Sequence, residues 1–301
     1  MKKSTWSLVL VLAMAAWASF YPFTKIIQGT IDPLLLAFFR FFFASIVLLP
    51  VVIASKKLTL PLRNEWLPLL VIAAFAVVPT ALTAVGIKLS SSIVGSILVN
   101  TNPLFAAALA PLLITEHVTL KRARALVLGF VGIVVIILNG QSVQSLFQST
   151  YFTGSLLLIG SSILSALFAI YAKKYIRKYG GLYVTFFTVA PGTLILALLL
   201  LFHGGFAQVP SLPPLTWLFA ILNGVLATAI PYVVWSSSVK HLDVTTATSF
   251  KLLIPVFAAL YSLAFLKENF TPWMLAGMIL TGIGVYLVQR EETTAKALPV
   301  Q

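Results

Sequence analysis

Asn102-Pro103-Leu104-Phe105-Ala106-Ala107, running on to Glu116-His117-Val118-Thr119, and Leu253-Ile254-Pro255-Val256-Phe257-Ala258-Ala259, running on to Glu268-Asn269-Phe270-Thr271, are two copies of one pattern. The copies stand 152 residues apart with no gap: Pro79, Lys88, Pro103, Glu116 and Gly132 recur as Pro231, Lys240, Pro255, Glu268 and Gly284. Phe105-Ala106-Ala107 returns as Phe257-Ala258-Ala259, and Thr119 as Thr271. The sequence around them is almost wholly apolar. A membrane chain of two matched halves usually holds something between them, which points to a carrier.

Composition sets the medium. The 301 residues are 60% hydrophobic and 9% charged, with a mean hydropathy of +1.04. Soluble domains carry about 25% charged residues, so this chain could not keep a surface wetted. Ten apolar runs lie at about 4–26, 33–54, 66–87, 91–114, 122–139, 152–173, 182–203, 215–237, 244–266 and 272–289. Each is near the roughly 20 residues that cross a bilayer. A backbone in lipid must satisfy its own hydrogen bonds, and these runs are far longer than barrel strands. The fold class expected is therefore an all-α integral membrane protein.

The net charge of +13 would suggest nucleic acid in a soluble protein. Here Lys2, Lys3, Lys56, Lys57, Arg63, Lys121, Arg122, Arg124, Lys173, Lys174, Arg177, Lys178, Lys240, Arg290 and Lys296 all fall on one side of the ten-span arrangement. The other side has Lys25, Lys88 and Lys267. That asymmetry predicts both termini in the cytoplasm. With no basic face beyond short loops, no nucleic-acid partner is expected. Cysteine is absent, which excludes disulfides and thiol chemistry. The start, Met1-Lys2-Lys3 before an apolar run, resembles a signal peptide. Removing it would break the symmetry of the halves, so it reads as the first span.

Five spans per half is an odd number, so the second half enters from the opposite side: a five-plus-five inverted repeat. The domains expected are residues 1–140 and 151–290, with a disordered cytoplasmic tail at 291–301. The early spans match more loosely; pairing Lys25 with Lys173 needs an offset of 148. Thr271-Pro272 reads as a helix cap with proline in the first turn. Trp6, Trp66 and Trp273 lie near span ends, where indoles favour the headgroup region. Ala125, Gly129 and Gly132 repeat as Gly277, Thr281 and Gly284. Such small residues admit a close helix, either within the chain or in a dimer, so monomer and homodimer both stay open.

These residues resemble the drug/metabolite transporter superfamily in its ten-span EamA-like branch, over about 4–289. The resemblance rests on Trp17 and Lys25, on Asp32-Pro33 through Arg40, and on the two paired Pro and Glu-x-x-Thr blocks. It implies an alternating-access carrier with a central cavity between the halves. Substrates across the superfamily range from amino acids and aromatic compounds to nucleosides, sugar phosphates and drugs.

An ionised residue inside a span costs about 2.5–3.5 kcal/mol on insertion scales, so each needs a reason. Lys251 lies about seven residues into the ninth span and replaces the apolar Val99 of the first half. It faces the cavity or snorkels toward the cytoplasm. Thr248, Lys251 and Pro255 can share one helical face. Phosphate-translocating relatives resemble this in carrying basic residues in the corresponding helix, which implies an anionic group on the substrate. Arg40 matches the superfamily's arginine in the second span and either ties helices or meets substrate. Ser92, Ser96 and Asn100 form a polar stripe before Pro103, lining a cavity or joining helices. Trp17, Tyr21, Tyr171 and Trp235 could wall a cavity or simply pack. Pro79, Pro103, Pro231 and Pro255 kink helices at matched places, as hinges or static bends. Glu116 and Glu268 precede threonines by three residues and read as turn caps, with a gating ion pair as the alternative.

No Asp or Glu lies deep in a span, which argues against a carboxylate-coupled exporter of cationic drugs. No phosphate-binding Gly-x-x-x-x-Gly-Lys motif is present, and His117, His203 and His241 are isolated, so neither cofactor nor metal is expected. A lipid-modifying enzyme would need clustered acid, base or nucleophile at one depth, and none is seen. The expected function is a secondary transporter of small organic metabolites. Amino acids or related anionic or zwitterionic compounds are the expected substrates, moved outward across a bacterial inner membrane. A drug exporter of the same superfamily, and a non-transporting sensor or assembly partner, are the alternatives.

Overall fold

Asp32 opens one of the long helices by a mechanism written in its neighbours: its carboxylate accepts the Leu34 and Leu35 N–H groups at 2.8 and 3.3 Å. Pro33 occupies the first turn, where its missing N–H costs nothing. Thr119 and Thr271, 152 residues apart, cap in the same way. Their hydroxyls accept the N–H three residues on, from Arg122 at 3.2 Å and Met274 at 3.3 Å. The glutamates expected to share this work, Glu116 and Glu268, lie outside the described residues.

The computed structural model describes residues 3–27, 29–55, 61–89, 98–114, 118–138, 140, 142, 152–202, 204–266 and 271–297. Among them the helices are α1 (Lys3–Ala18), α2 (Phe20–Ile26), α3 (Pro33–Ala54), α4 (Trp66–Leu89), α5 (Asn102–Leu113), α6 (Leu120–Leu138) and α7 (Phe152–Tyr179). There follow α8 (Gly181–Phe202), α9 (Pro214–Gly224), α10 (Ile230–Ser238), α11 (Val244–Ser249), α12 (Leu253–Leu266) and α13 (Pro272–Ala297). Six helical stretches among the described residues are long and apolar enough to cross a membrane: Thr5–Thr24, Pro33–Ala54, Arg63–Thr83, Thr153–Tyr179, Gly181–Phe202 and Pro214–Ser238. Asn102–Leu113, Val244–Ala258 and Pro272–Val288 are shorter apolar helices.

Several helices are broken where sequence removes a hydrogen bond. Pro22 cannot donate to Ala18, and α1 gives way to α2 at Ser19, whose hydroxyl turns to the Ala16 carbonyl at 2.7 Å. Pro103 cannot donate to Val99, and the Ser162 hydroxyl of α7 donates to that carbonyl instead, at 3.3 Å. Before Pro231 the chain widens into a π-helical segment, Val225–Ala229. Before Pro255 it tightens into a 3-10 turn, Phe250–Leu252. Pro79, by contrast, lies inside the unbroken α4.

Two boundaries differ from the sequence reading. Helix α7 continues through Lys173, Lys174, Arg177 and Lys178 to Tyr179, because lysine and arginine are good helix formers outside the bilayer too. It ends at Gly180, whose φ of 91° suits glycine. The tail expected to be disordered extends α13 to Ala297, where Glu, Ala and Lys, good helix formers, outnumber the two threonines.

Helices α6 and α13 pack most closely. A Cβ on Gly284 would stand 2.5 Å from the Gly129 nitrogen and 2.8 Å from the Ala125 carbonyl. One on Gly132 would stand 2.6 Å from the Gly277 carbonyl. The small residues therefore serve a seam within the chain. The main core gathers Leu10, Met14, Phe168, Tyr183, Trp235 and Phe250 from α1, α7, α8, α10 and the 3-10 turn. That core surrounds the candidate site.

Candidate functional site

Pro255 lacks the N–H that would close an α-turn on the Lys251 carbonyl, and the chain tightens there; the Leu253 N–H reaches the Lys251 and Phe250 carbonyls instead. Lys251 thus projects from a break in a helix. Its Nζ stands 4.4 Å from the centre of the Trp235 ring and 5.1 Å from that of Trp17. Lys251 is 8% exposed and Trp235 fully buried. Sequence positions 17, 235 and 251 meet because α1 packs on both α10 and the 3-10 turn.

Around this cage stand further rings. Tyr232 lies 4.8 Å from Trp17, and Phe168 stacks on Trp235 at 5.7 Å. The Tyr261 hydroxyl donates to the Ala15 carbonyl at 3.0 Å and holds α12 against α1.

The electrostatic balance is uneven. A lysine inside a membrane costs about 2.5–3.5 kcal/mol, and a desolvated cation–π contact returns about 2 kcal/mol. Two indole faces therefore offset most of the cost without cancelling the charge. The ammonium has three donors, and among the described residues no carboxylate or hydrogen-bond acceptor meets them. Beside it in sequence or space, the Thr248 hydroxyl and the Trp235 indole N–H are buried without a partner. Buried polar atoms are nearly always paired, so the ammonium and these two groups are candidates for the hydrogen bonds of a polar ligand. The arrangement can hold an anionic or acceptor-rich group at the ammonium and an apolar group between the rings.

The other sequence candidates lie elsewhere. Arg40 is buried, its Nε donating to Thr228 Oγ1 at 3.2 Å and its guanidinium centred 4.1 Å over Phe20. Thr228 in turn donates to the Asn223 carbonyl at 2.7 Å, so Arg40 ties α3 to the π segment. Asn100 is buried at the break before α5, next to Thr101, which bonds Ser162 at 2.7 Å. Tyr171 stacks on Phe75 at 6.0 Å and is 42% exposed, in a groove apart from the cage. Ser96 and Ser92 lie outside the described residues, as does the Tyr21 side chain.

Sequence reading missed the ion pairs. Arg122, taken as one cytoplasmic charge among many, is 2% exposed; it donates to Thr246 at 2.7 Å and pairs with Asp243 at 3.6 Å. Glu65 accepts Lys178 at 2.8 Å and also the Tyr179 hydroxyl. Partners more than a hundred residues apart leave no local signal. The only hint lay in an acid, Asp243, placed just before a helix.

Comparison with known proteins agrees in kind. The sequence model of the EamA-like transporter family matches residues 4–138 and again 152–290. An uncharacterized transporter of Archaeoglobus fulgidus is 31% identical over 96% of this chain and 97% of its own. A protein of Streptantibioticus cattleyicolor named a probable terminal-alkyne amino-acid exporter is 25% identical over 96% and 94%. A crystal structure with a TM-score of 0.79 shares the fold at 16% identity, over 97% of this chain and 99% of that one. A family match in each half, and a relative alike over nearly its whole length, establish that this chain is a membrane transporter of the EamA-like family, within the drug/metabolite transporter superfamily.

Proposed function

We propose that the protein exports small organic metabolites, amino acids or related anionic or zwitterionic compounds, across the cell membrane, binding them at the Lys251 cage. One observation carries the reading: a buried ammonium between Trp17 and Trp235 with no carboxylate beside it among the described residues. A substrate carboxylate would meet the ammonium, Thr248 and the Trp235 N–H would complete its hydrogen bonds, and the rings of Trp17, Trp235 and Tyr232 would take the apolar part. Arg40 acts as a tie. The relative named for amino-acid export favours that substrate class.

Transport proceeds by alternating access between two five-span halves, residues 1–140 and 151–290, in inverted orientation, with both termini cytoplasmic. Contacts between repeat mates support this. Thr281 donates to the carbonyl of Gly129, its mate at an offset of 152, at 3.4 Å. Ser45 and Thr193, offset by 148, bond at 3.1 Å. Residues meet their own mates only near a two-fold axis. Pro103 and Pro255, each behind a helix break, serve as the hinges; Pro79 and Pro231 shape the neighbouring helices.

The test is counterflow into liposomes holding the purified protein, across labelled amino acids, organic acids and nucleosides, with and without a pH gradient. The expected result is accumulation of one amino-acid or organic-acid class, displaced by the same unlabelled compound. Accumulation confined to nucleosides would overturn the substrate assignment. Folded protein that accumulates nothing would favour a sensor or assembly role.

A further inference from the structure

A groove of about 930 Å³ lies between α4, α5 and α7, away from the Lys251 cage. Its walls are apolar: Leu67, Val71 and Phe75 from α4, Leu113 from the end of α5, Tyr171 from α7. Its rim is basic. Lys173, Lys174 and Arg177 line it where α7 runs on past the apolar stretch, and no carboxylate does among the described residues. Among the described residues Glu65 also lies at that end, where it pairs with Lys178 and Tyr179.

Apolar walls alone would select nothing in a bilayer, since lipid tails are as apolar as leucine. Specificity must come from the rim. Its three cations lie within about one turn of a single helix, beside a groove that can take an acyl chain. We propose that this groove is a binding site for one anionic phospholipid of the adjoining leaflet, its phosphate on Lys173, Lys174 and Arg177 and a chain against Val71, Phe75 and Tyr171. The inference rests on the membrane embedding alone and is independent of the substrate reading. Bound there, the lipid bridges α4, α5 and α7, helices drawn from both halves of the chain.

A cation near a membrane surface strengthens attraction to an anionic headgroup roughly fivefold, so three together give up to about a hundredfold. The experiment is native mass spectrometry of the full chain, released from detergent with equimolar phosphatidylglycerol and phosphatidylcholine. One phosphatidylglycerol should be retained with a preference of tens of fold. Lys173→Gln, Lys174→Gln and Arg177→Gln combined should level the two lipids to within about twofold, with helicity unchanged. Val71→Trp, which fills the groove and keeps the charges, should lower retention of both. Excess glycerol 3-phosphate should displace nothing. Equal retention of the two lipids by the unaltered protein, or an undiminished preference in the triple variant, overturns the proposal. Displacement by glycerol 3-phosphate would make the rim a site for soluble anions and overturn it equally. None of these readouts involves transport.

Discussion

A lysine held by two indoles differs from one held by a carboxylate in what it leaves for a ligand. An ion pair is neutral, and an incoming anion must displace the partner. The rings around Lys251 lower the cost of the charge and leave its sign intact. Removing the charge should therefore relieve the fold while disabling the site. Lys251→Met keeps the stem's volume, and replacing buried charge by apolar atoms is commonly neutral or stabilising by about 1–4 kcal/mol. The melting temperature in detergent should stay level or rise. A charged hydrogen bond is worth about 1.5–3 kcal/mol, so transport of an anionic substrate should fall at least about tenfold. An uncharged ester of the same substrate should change by less than about threefold. Equal losses for acid and ester, or a drop of several degrees in melting temperature, would show that Lys251 supports structure instead. The lysine's depth and its asymmetry against Val99 were legible in the sequence. That Trp17 and Trp235 would be its neighbours was a matter of two helix breaks, and no spacing rule reports those.

At the scale of elements, the seam between α6 and α13 offers a matched pair of glycines. Gly284 lies against backbone, which cannot swing aside as a side chain could. Gly282, two residues away on the same helix, has nothing within 4 Å of an added Cβ. Gly284→Ala should cost about 1–3 kcal/mol through overpacking, while Gly282→Ala should gain about 0.5–1 kcal/mol of helix propensity. Thermal unfolding of the two variants in one detergent measures the difference directly. Equal effects would mean that the helices part without penalty. The small-residue pattern was plain in the sequence; its partner was not, because a dimer and an internal seam demand the same residues. Prolines show the same limit. Pro103, Pro231 and Pro255 announced disrupted helices, yet an open break, a π segment and a 3-10 turn answer one missing N–H in three ways. The choice depends on what packs opposite, as Ser162 does for Val99. The added helical turn at the end of α7 escaped notice because hydropathy reports the bilayer and says nothing of helices that leave it.

For the whole molecule, the two halves are tied at both ends. At the end read as cytoplasmic, Arg122 holds Asp243 and Thr246, and Glu65 holds Lys178 and Tyr179. At the other, Thr30 bonds Thr216 at 2.8 Å, and Gln208 bonds the Asp32 N–H and the Thr30 carbonyl at 2.8 and 3.2 Å. A carrier that alternates must break one set at a time, so the relative strength of the sets biases its resting state. The Glu65 pair is half exposed on the lysine side, where water and salt screen it. Arg122 is buried, and its charged bonds are worth about 1.5–3 kcal/mol, so it dominates its end. Loss of Arg122 should shift the population toward the state open on that side by about tenfold or more. The absence of native cysteine lets a single Thr248→Cys report on access to the cage. In inverted vesicles, a membrane-impermeant maleimide should label Thr248→Cys about tenfold faster once Arg122→Gln is added, whereas Gln208→Ala should slow that labelling and speed it in right-side-out vesicles. Labelling that ignores both changes would mean the ties are incidental to gating. Labelling that rises from both sides together would mean the halves had come apart, and would place Arg122 among the residues that hold the fold.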